Sequence, residues 1–572
     1  MALTKSEVKK VPLRAADIEN KTSPILKLII IGILILAVFG LLIISTTISL
    51  EKEYYTTLKG SNFHIRGRKI KHGEVYEGII YGTNTLFGRP KLQPFQGEMN
   101  ATDTAKACSV SPYGKSRICL YLNIYRCEQE RRSSNQQVLV YVGTGRVRNS
   151  GPADLVPYVA VEKYACKGTI LVSVNYRQSI FGYFSTGAEN TGNNGVYDVK
   201  LALEWVQKNI GHFGGNARNV TVLAAGNGAR VVSLLSRLPE SKGLFHQLIL
   251  SGESSFTPFS IRKPSYEGFR SSRWYSEKLG CTTNDSWPWD SQPNDPERVY
   301  NCLERLPLSD ITALDEKSGA KELITWPFVV DQELVRSELL SSEETVGHSV
   351  PTLFLVCLDT ELHQGSLYLS NQIRKLLQPI YELQLDQFQD LLEYYVRELT
   401  NETSQREMPT KQQHYKLINR IHNNFRLLGP SLLEAQATAS GDVLTYFMFI
   451  TNRKKEDAYM SQTPLCLGED LFDSVKPLQK KFGRWRDNYG NTISEIVTNF
   501  IIRADPTLNS SSYIWPWYDP KSPEITVFDS STQQGKVRPI TEIETSIFWM
   551  CELGKKYLTP KILPRFCNTR KN

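Results

Sequence analysis

The sequence predicts an α/β fold: a mostly parallel central sheet flanked by helices, preceded by one transmembrane helix. Three observations predict it. Short apolar runs bounded by polar turns recur along the chain, helical patterns separate them, and one long uncharged apolar stretch lies near the N-terminus. Such runs are typical of strands buried on both faces, and their alternation with helices is typical of a parallel sheet with right-handed crossovers.

The apolar stretch, residues 28–50, is predicted to span a membrane. Leu28 to Ile44 contains no charged side chain, and a spanning helix needs about 20 mostly apolar residues. A cleaved signal peptide is the alternative, but its apolar core is roughly 7–15 residues long. Residues 1–27 are rich in lysine, and basic flanks stay in the cytoplasm. We therefore expect a type II membrane protein with a cytoplasmic tail at 1–27.

Cysteines and glycosylation acceptors agree with this orientation. All 10 cysteines lie beyond the apolar stretch, as expected in an oxidising compartment. Asn-x-Ser/Thr acceptors also lie beyond it, at Asn100, Asn219, Asn284, Asn401 and Asn509. We predict a glycoprotein of the plasma membrane with one extracellular domain, residues 73–572. Residues 51–72 between the span and this domain are either a stalk or an edge hairpin.

Charge and motif content exclude several classes of function. A formal net charge of +8 over 572 residues is modest, and the chain has no nucleic-acid-binding motif, so nucleic acid is not an expected partner. The cysteines and histidines show no tight metal-ligand spacing. We expect neither a metal nor a cofactor.

Six apolar runs predict the main strands. They are Val138–Val142, Thr169–Asn175, Val220–Ala224, Leu248–Leu250, Pro351–Val356 and Val443–Ile450. The segment Asp198–Ile210 places apolar residues on one helical face, and Asp198 is suited to cap that helix. A second helix follows the third strand, with its apolar face at Val231, Leu234, Leu235 and Leu238.

The most informative feature is the glycine-rich turn between the third strand and this helix. Residues 219–228 have the sequence NVTVLAAGNG. In an ester hydrolase a turn of the form GxSxG carries a nucleophilic serine at its centre. Gly226 occupies that position here, so the hydroxyl that would attack an ester is missing. Glycine would also relax the backbone strain of such a turn.

Several motifs in this chain resemble the type-B carboxylesterase and cholinesterase family, from near residue 65 to near residue 560. They include CLYLNIY at 119–125, FGYFSTG at 181–187, GNNGVYD at 192–198, GLFHQLILSG at 243–252 and WPFVVD at 326–331. The resemblance implies an α/β-hydrolase fold over nearly the whole extracellular domain. It also implies two disulfides, Cys108–Cys119 and Cys281–Cys302. The other cysteines stay unassigned, and a Cys127–Cys166 pair is a guess from their positions beside the early strands.

The positions at which that family carries its catalytic residues are degenerate in this chain. The serine falls on Gly226 and the histidine on Leu467. The acidic residue falls near Thr360, where a shift of one residue would restore a carboxylate from Asp359 or Glu361. The oxyanion-hole motif falls on Gly143, Thr144, Gly145 and Arg146. Because loss of nucleophile or base alone costs on the order of 10⁶ in turnover in one serine protease, we predict a pseudo-esterase.

Catalytically dead domains of this family occur in the cholinesterase-like adhesion molecules neurotactin, neuroligin, gliotactin and glutactin, and the short tail and anchor are most similar to neurotactin. The resemblance implies recognition of an extracellular protein partner at the cell surface. One alternative is a divergent membrane-anchored ester hydrolase with a rebuilt site, for which His348 and His363 are candidate bases. Another is a secretory-pathway protein that binds a ligand in the vacated pocket. The helical spacing in Ile540–Leu553 indicates either core packing or, by resemblance, a four-helix bundle in a homodimer.

Overall fold

The computed structural model describes most of the chain between residues 54 and 357 and several later segments. The described residues are 28–40, 54–84, 86–103, 120–128, 135–143, 155–186, 191–257, 260–262, 269–282, 296–319, 326–340, 349–357, 427–439, 443–451, 484–509, 514–522, 524–529, 532 and 534–539. The chain divides into two compact units, Met1–Thr56 and Thr57–Asn572.

In the first unit, residues 28–40 are helical and carry exposed apolar side chains, such as Leu36 at 73% and Phe39 at 63% exposure. Among the residues that the structure describes, no helix combines the length and the apolarity that a membrane crossing requires. The rest of the predicted span, residues 41–50, lies outside the described residues.

The strands that the structure describes belong to one large mixed sheet and two small ones. In chain order they are β1 (Tyr55–Lys59), β2 (Phe63–Ile70), β3 (Gly73–Ile80), β4 (Gly82–Thr83), β5 (Lys91–Leu92), β6 (Gly97–Asn100), β7 (Tyr121–Cys127), β8 (Gln136–Val142), β9 (Thr169–Val174), β10 (Gly215–Ala225), β11 (Gln247–Ser251), β12 (Ile261–Arg262), β13 (Phe328–Val329), β14 (Thr352–Cys357), β15 (Thr445–Thr451), β16 (Glu524–Asp529) and β17 (Gln534–Pro539). The large sheet has the order β1-β2-β3-β7-β9-β8-β10-β11-β14-β15-β16-β17, with β6 beside β2.

The centre of the large sheet is parallel, as predicted. All neighbouring pairs from β9 to β16 in the sheet order are parallel. The six predicted strands correspond to β8, β9, β10, β11, β14 and β15. The antiparallel pairs lie toward the edges, between β2 and β3, β3 and β7, β7 and β9, and β16 and β17. Of the two alternatives for residues 51–72, the structure contains the edge hairpin, because β2 pairs with β3.

The helices of the second unit lie between the strands. They are α1 (Pro157–Lys163), α2 (Ser179–Tyr183), α3 (Asn194–Asn209), α4 (Asn227–Ser236), α5 (Arg270–Lys278), α6 (Pro296–Arg305), α7 (Leu308–Gly319), α8 (Gly429–Ala439) and α9 (Arg484–Arg503). The predicted helix Ile540–Leu553 lies outside the described residues.

The expectation that Asp198 caps its helix is wrong. The N-cap of α3 is Asn193, and Asp198 lies inside the helix with its side chain fully buried. The Asp198 carboxylate accepts hydrogen bonds from Nε and Nη2 of Arg177, at 2.8 and 2.7 Å. A buried carboxylate without a paired cation costs more stability than the absence of this helix cap. The acidic residue therefore serves an ion pair in the core.

Apolar side chains of the central strands pack on both faces of the sheet. Val138, Val140 and Val142 of β8 belong to one core cluster, whereas Leu139 and Tyr141 belong to the other. Successive side chains of a strand point to opposite faces, so a sheet covered on both sides needs continuous apolar runs. The carboxyl ends of the parallel strands lie at a common edge of the sheet.

Candidate functional site

A sharp turn at Gly226 joins the carboxyl end of β10 to the amino end of α4. Gly226 has φ 55° and ψ −125°, a left-handed conformation that favours glycine. Its amide donates to the carbonyl of Ser251 on β11 at 2.8 Å, and its own carbonyl accepts from the amide of Ala229 at 3.1 Å. The turn is therefore tied both to the next strand and to the first turn of the helix.

Two further glycines allow the backbone to pack closely at this turn. A Cβ atom at Gly228 would collide with the carbonyl oxygen of Val142 on β8. Gly252 has φ 113°, and a Cβ atom there would lie 3.3 Å from the amide nitrogen of Gly226. Small residues at this turn let the backbone segments pack closely, as they do around a nucleophile turn, although the central residue carries no hydroxyl.

The residue after the turn, Asn227, is bonded to a buried phenol. Its Nδ2 atom donates to the hydroxyl of Tyr183 at 3.0 Å. Burial raises the pKa of Tyr183 to about 12, so this phenol is neutral at physiological pH and does not act as a general base there. Nearby, the hydroxyl of Tyr176 donates to the carbonyl of Gly143 at 3.0 Å. This bond holds the first residue of the degenerate oxyanion motif.

Arg230 places a cation one helical turn beyond the glycine turn. Its side chain is buried, at 5% exposure of the residue. The guanidinium carbon lies 4.7 Å from the ring centre of Phe328 and 5.9 Å from that of Tyr183. Nη2 donates to the carbonyl of Trp326 at 2.8 Å, and Nε lies 3.9 Å from a carboxylate oxygen of Glu253. This cluster could not be recognised in the sequence, because Arg230 stands directly before the apolar face of α4 and its partners lie far from it in the chain.

A buried carboxyl group lies behind the turn. Glu434 of α8 accepts a hydrogen bond from Oγ of Ser254 at 2.6 Å. Burial raises the pKa of Glu434 to about 7, and the hydrogen bond from Ser254 and the charge of Arg237 oppose this rise. The same helix contacts the turn region through Ser431, whose hydroxyl donates to the carbonyl of Gly252 at 3.2 Å. The Ser254–Glu434 pair contains no imidazole, the group that takes the serine proton in a Ser-His-Asp triad.

No histidine among the described residues lies beside Gly226. The amide of His246 donates to the carbonyl of Val220, which places His246 roughly 16 Å down the strand from the carboxyl end of β10. His212 lies in the turn that precedes β10. His64 lies on β2 and His72 in the turn between β2 and β3, several strands away in the sheet. Within this part of the chain, no imidazole is placed to receive a proton at the turn.

The remaining positions of the degenerate machinery lie outside the described residues. They are Leu467, Thr360, Thr144, Gly145 and Arg146, together with the candidate replacements Asp359, Glu361, His348 and His363. One neighbour of these positions is described: β14 ends at Cys357, shortly before Thr360. Because β14 is parallel to β11 and β11 to β10, this end of β14 lies at the same sheet edge as Gly226.

Two disulfides are formed by described cysteines. Cys281 and Cys302, the pair that the resemblance implies, are bonded with a Cα–Cα distance of 5.6 Å. Cys127 and Cys166, the guessed pair, are bonded with a Cα–Cα distance of 4.8 Å. The second implied pair, Cys108–Cys119, lies outside the described residues.

Three of the glycosylation acceptors are described. Asn100 and Asn509 are exposed, and Asn219 is half-buried on β10. At Asn100, the hydroxyl of Thr102, the third residue of its acceptor triplet, donates to the Asn100 side-chain oxygen at 3.0 Å. Asn284 and Asn401 lie outside the described residues.

Comparison with known proteins gives consistent matches. A family model described as the carboxylesterase family matches residues 46–546. Pyrethroid hydrolase Ces2a of Mus musculus is 34% identical over 292 residues, 50% of this chain and 47% of that protein. Glutactin of Drosophila melanogaster is 33% identical over 257 residues, 42% of this chain and 24% of that protein. Esterase E4 of Myzus persicae is 32% identical over 327 residues, 53% of this chain and 55% of that protein. The matched region spans about half or less of the length of these relatives.

The fold is also found in a solved structure. The carboxylesterase EST55 of Geobacillus stearothermophilus at pH 6.2 superposes with a TM-score of 0.64 and covers 86% of this chain and 99% of its own, at 20% sequence identity. The likeness shows the fold alone, and that fold is the α/β-hydrolase fold that the sequence motifs imply.

Proposed function

The chain belongs to the carboxylesterase family, and from this premise we propose that it is a catalytically inactive member that works by recognising a protein partner at the cell surface. The observation that carries the proposal is Gly226. A residue without a side chain stands at the centre of the turn, with φ 55°, where acyl transfer through a serine would need a hydroxyl. The sharp turn and its close packing through Gly228 and Gly252 are present, and the nucleophile is absent from the turn.

The surroundings of the turn support the same proposal. Around Gly226 the described residues supply a neutral phenol, Tyr183, a buried cation, Arg230, and two buried carboxyl groups, Glu253 and Glu434, but no imidazole. The phenol and the cation do not take the proton of an attacking hydroxyl at neutral pH. With nucleophile and base both missing, the family's chemistry loses at least on the order of 10⁶ in turnover.

We place this protein in the plasma membrane as a type II glycoprotein. The helix at residues 28–40 presents apolar side chains outward, as an anchor in lipid would, and basic residues precede it. The two disulfides suit an oxidising compartment. A binding role would use loops on this disulfide-linked scaffold. We also propose that two copies of the chain pair through C-terminal helices.

Activity assays on the full-length protein in detergent test the proposal. We expect no hydrolysis of p-nitrophenyl acetate above that of heat-inactivated protein and no labelling by a fluorophosphonate. Stoichiometric labelling of any serine would contradict a pseudo-esterase. Ser254→Ala is the informative variant in that case, because Ser254 is the serine that donates to the buried carboxyl of Glu434: labelling lost in this variant would locate a rebuilt site.

An active ester hydrolase is the second candidate, because two of the relatives are named as a pyrethroid hydrolase and an esterase. It requires a base and a nucleophile from other parts of the chain to reach the sheet edge beside Gly226. His348 and His363 are the histidines nearest in sequence to the degenerate acidic position. Substituting both with alanine would abolish hydrolysis under this candidate and change nothing under the proposal above.

Topology and partner binding need separate tests. Surface biotinylation of intact cells should label the full-length protein, whereas a secretory-pathway ligand-binding protein would stay unlabelled. Removal of N-glycans should shift the gel mobility of the wild type, and the shift should be smaller for Asn100→Gln and Asn509→Gln, since both acceptors are exposed. Cross-linking on cells should then capture one cell-surface protein with the full-length chain and not with a heat-treated sample.

A further inference from the structure

The Arg230 guanidinium lies in a site made of groups that bind a planar cation. Phe328 presents its ring 4.7 Å from the guanidinium carbon, and the Trp326 carbonyl accepts from Nη2 at 2.8 Å. The Glu253 carboxylate lies 3.9 Å from Nε, with its side chain only 10% exposed. Ring faces, carbonyl oxygens and carboxylates each attract a guanidinium, most strongly where water is excluded. These three groups are the walls of the site. Glu253 follows β11, Phe328 lies on β13, and Trp326 lies in the segment before β13.

The position of Arg230 on α4 directs this group toward the glycine turn. Side chains on a helix lean toward its N-terminus and cover the turn before their own Cα atom. Arg230 is four residues after Gly226, and its amide approaches the Gly226 carbonyl at 3.4 Å. Its Nε atom makes no hydrogen bond among the described residues. The side chain is held by the contacts of the whole planar guanidinium with the ring, the carbonyl and the carboxylate.

We propose that Arg230 is a built-in occupant of the enclosure formed by Phe328, Trp326 and Glu253, and that these walls form a latent receptor for a small organic cation of the alkylguanidinium class. The proposal goes beyond the proposed function and does not rest on it. In the wild type the receptor is closed to external ligands. Shortening Arg230 opens it without altering the residues that recognise the cation.

The test uses the full-length Arg230→Ala variant and the probe N-ethylguanidinium, the fragment that this substitution removes. We expect saturable binding by the variant, seen as a concentration-dependent rise in its thermal midpoint, and no saturable effect on the wild type. N-ethylurea has the same shape and no charge, and should bind about tenfold more weakly or not at all, since it lacks the attraction to the rings and the carboxylate. Adding Glu253→Gln to the variant should weaken binding of the cation.

A second buried arginine, at the C-terminal end of the same helix, provides the matched control. Arg237 is also buried, with its guanidinium carbon 4.6 Å from the ring of Phe256 and Nη2 bonded to the carbonyl of Leu339. Arg237→Ala reports how far the probe stabilises any cavity left by an arginine. In that variant, Glu253→Gln should leave the response to N-ethylguanidinium unchanged, because Glu253 is paired with Arg230.

Two results would overturn the proposal. One is equal binding of N-ethylguanidinium by wild type and Arg230→Ala, and the other is a folded Arg230→Ala that shows no saturable response. If Arg230→Ala accumulates only poorly, the readout is its folded yield on expression with each probe: rescue by the cation alone supports the receptor, and rescue by neither contradicts it. Ester hydrolysis by the wild type would contradict the proposed function. The comparison of cation binding between wild type and Arg230→Ala would still test the receptor.

Discussion

Replacing Glu434 by glutamine should stabilise this protein at alkaline pH and change little at acidic pH. Burial raises the pKa of Glu434 from 4.5 to about 7, so the folded chain binds this proton more tightly than the unfolded chain does. Its contribution to stability is therefore fully present below pH 4.5 and is lost as the pH rises through about 7. Glutamine resembles the protonated carboxyl group and can still accept the hydrogen bond from Ser254.

The size of the effect follows from the change in pKa. A difference of one in pKa corresponds to about 1.4 kcal/mol, so a rise from 4.5 to about 7 corresponds to about 3 kcal/mol. Arg237 is attracted to the ionised carboxylate, and glutamine removes that attraction. We expect Glu434→Gln to raise the free energy of unfolding by about 1–3 kcal/mol at pH 8, and by only a few tenths at pH 4.

Urea unfolding of wild type and variant at pH 4, 6 and 8 measures this difference. Groups that titrate in both proteins cancel when the two free energies are subtracted at each pH. Glu524→Gln, at an exposed carboxylate on β16, controls for the loss of one negative charge. A variant that is less stable than wild type at pH 8, or a difference that is the same at all three pH values, would refute the assignment of Glu434 as a buried carboxyl with a raised pKa.

Three further variants test the turn, the early disulfide and the buried ion pair. Gly226→Ser should lower the free energy of unfolding by about 1–3 kcal/mol because it forces a side chain onto φ 55°, and it should yield no ester hydrolysis; Gly211→Ser, where the added side chain meets open space, is the control in urea unfolding. The double variant Cys127→Ser/Cys166→Ser should lose about 4 kcal/mol, because the bond closes a loop with a sequence separation of 39; equal urea midpoints for oxidised wild type and variant would contradict this. Asp198→Asn should cost about 3–5 kcal/mol by leaving the buried Arg177 guanidinium without its counter-charge, and a thermal midpoint at the wild-type value would show that the pair does not stabilise the fold.

Much of the fold was predictable because its main features are local in sequence. The six apolar runs became neighbouring strands of the parallel region, since a strand covered on both faces must be apolar at successive residues. An edge hairpin was one of two alternatives for residues 51–72, and β16 and β17 at the other edge were not predicted, because their mixed polar composition carries no such pattern. The cap assigned to Asp198 failed for a related reason: its ion pair with Arg177 is a contact between separate segments, and local helix-start preferences do not contain it.

The candidate site divides in the same way. Gly226 could be identified from sequence, because the strand, the glycines and the helix that define the turn are consecutive. The cluster around Arg230 could not, since a cation at the border of an apolar helix face is ordinarily solvated. The same holds for Glu434, which the sequence offers as one acidic residue among 59 Asp and Glu and which becomes distinctive only through burial beside Ser254.

The sequence by itself determined the order of strands and helices along the chain and the absence of a hydroxyl at the turn, because both depend on residues that are adjacent in the chain. Only the tertiary structure decided what lies against that turn. Tyr183, Glu253 and Phe328 reach Arg230 from three different segments. Tyr183 and Glu253 follow β9 and β11, whose carboxyl ends lie at one edge of the parallel sheet, and Phe328 belongs to β13 of a separate two-stranded sheet. The charge pair and the cation–ring contacts are stronger at that edge because water is excluded there, and no single segment excludes water by itself.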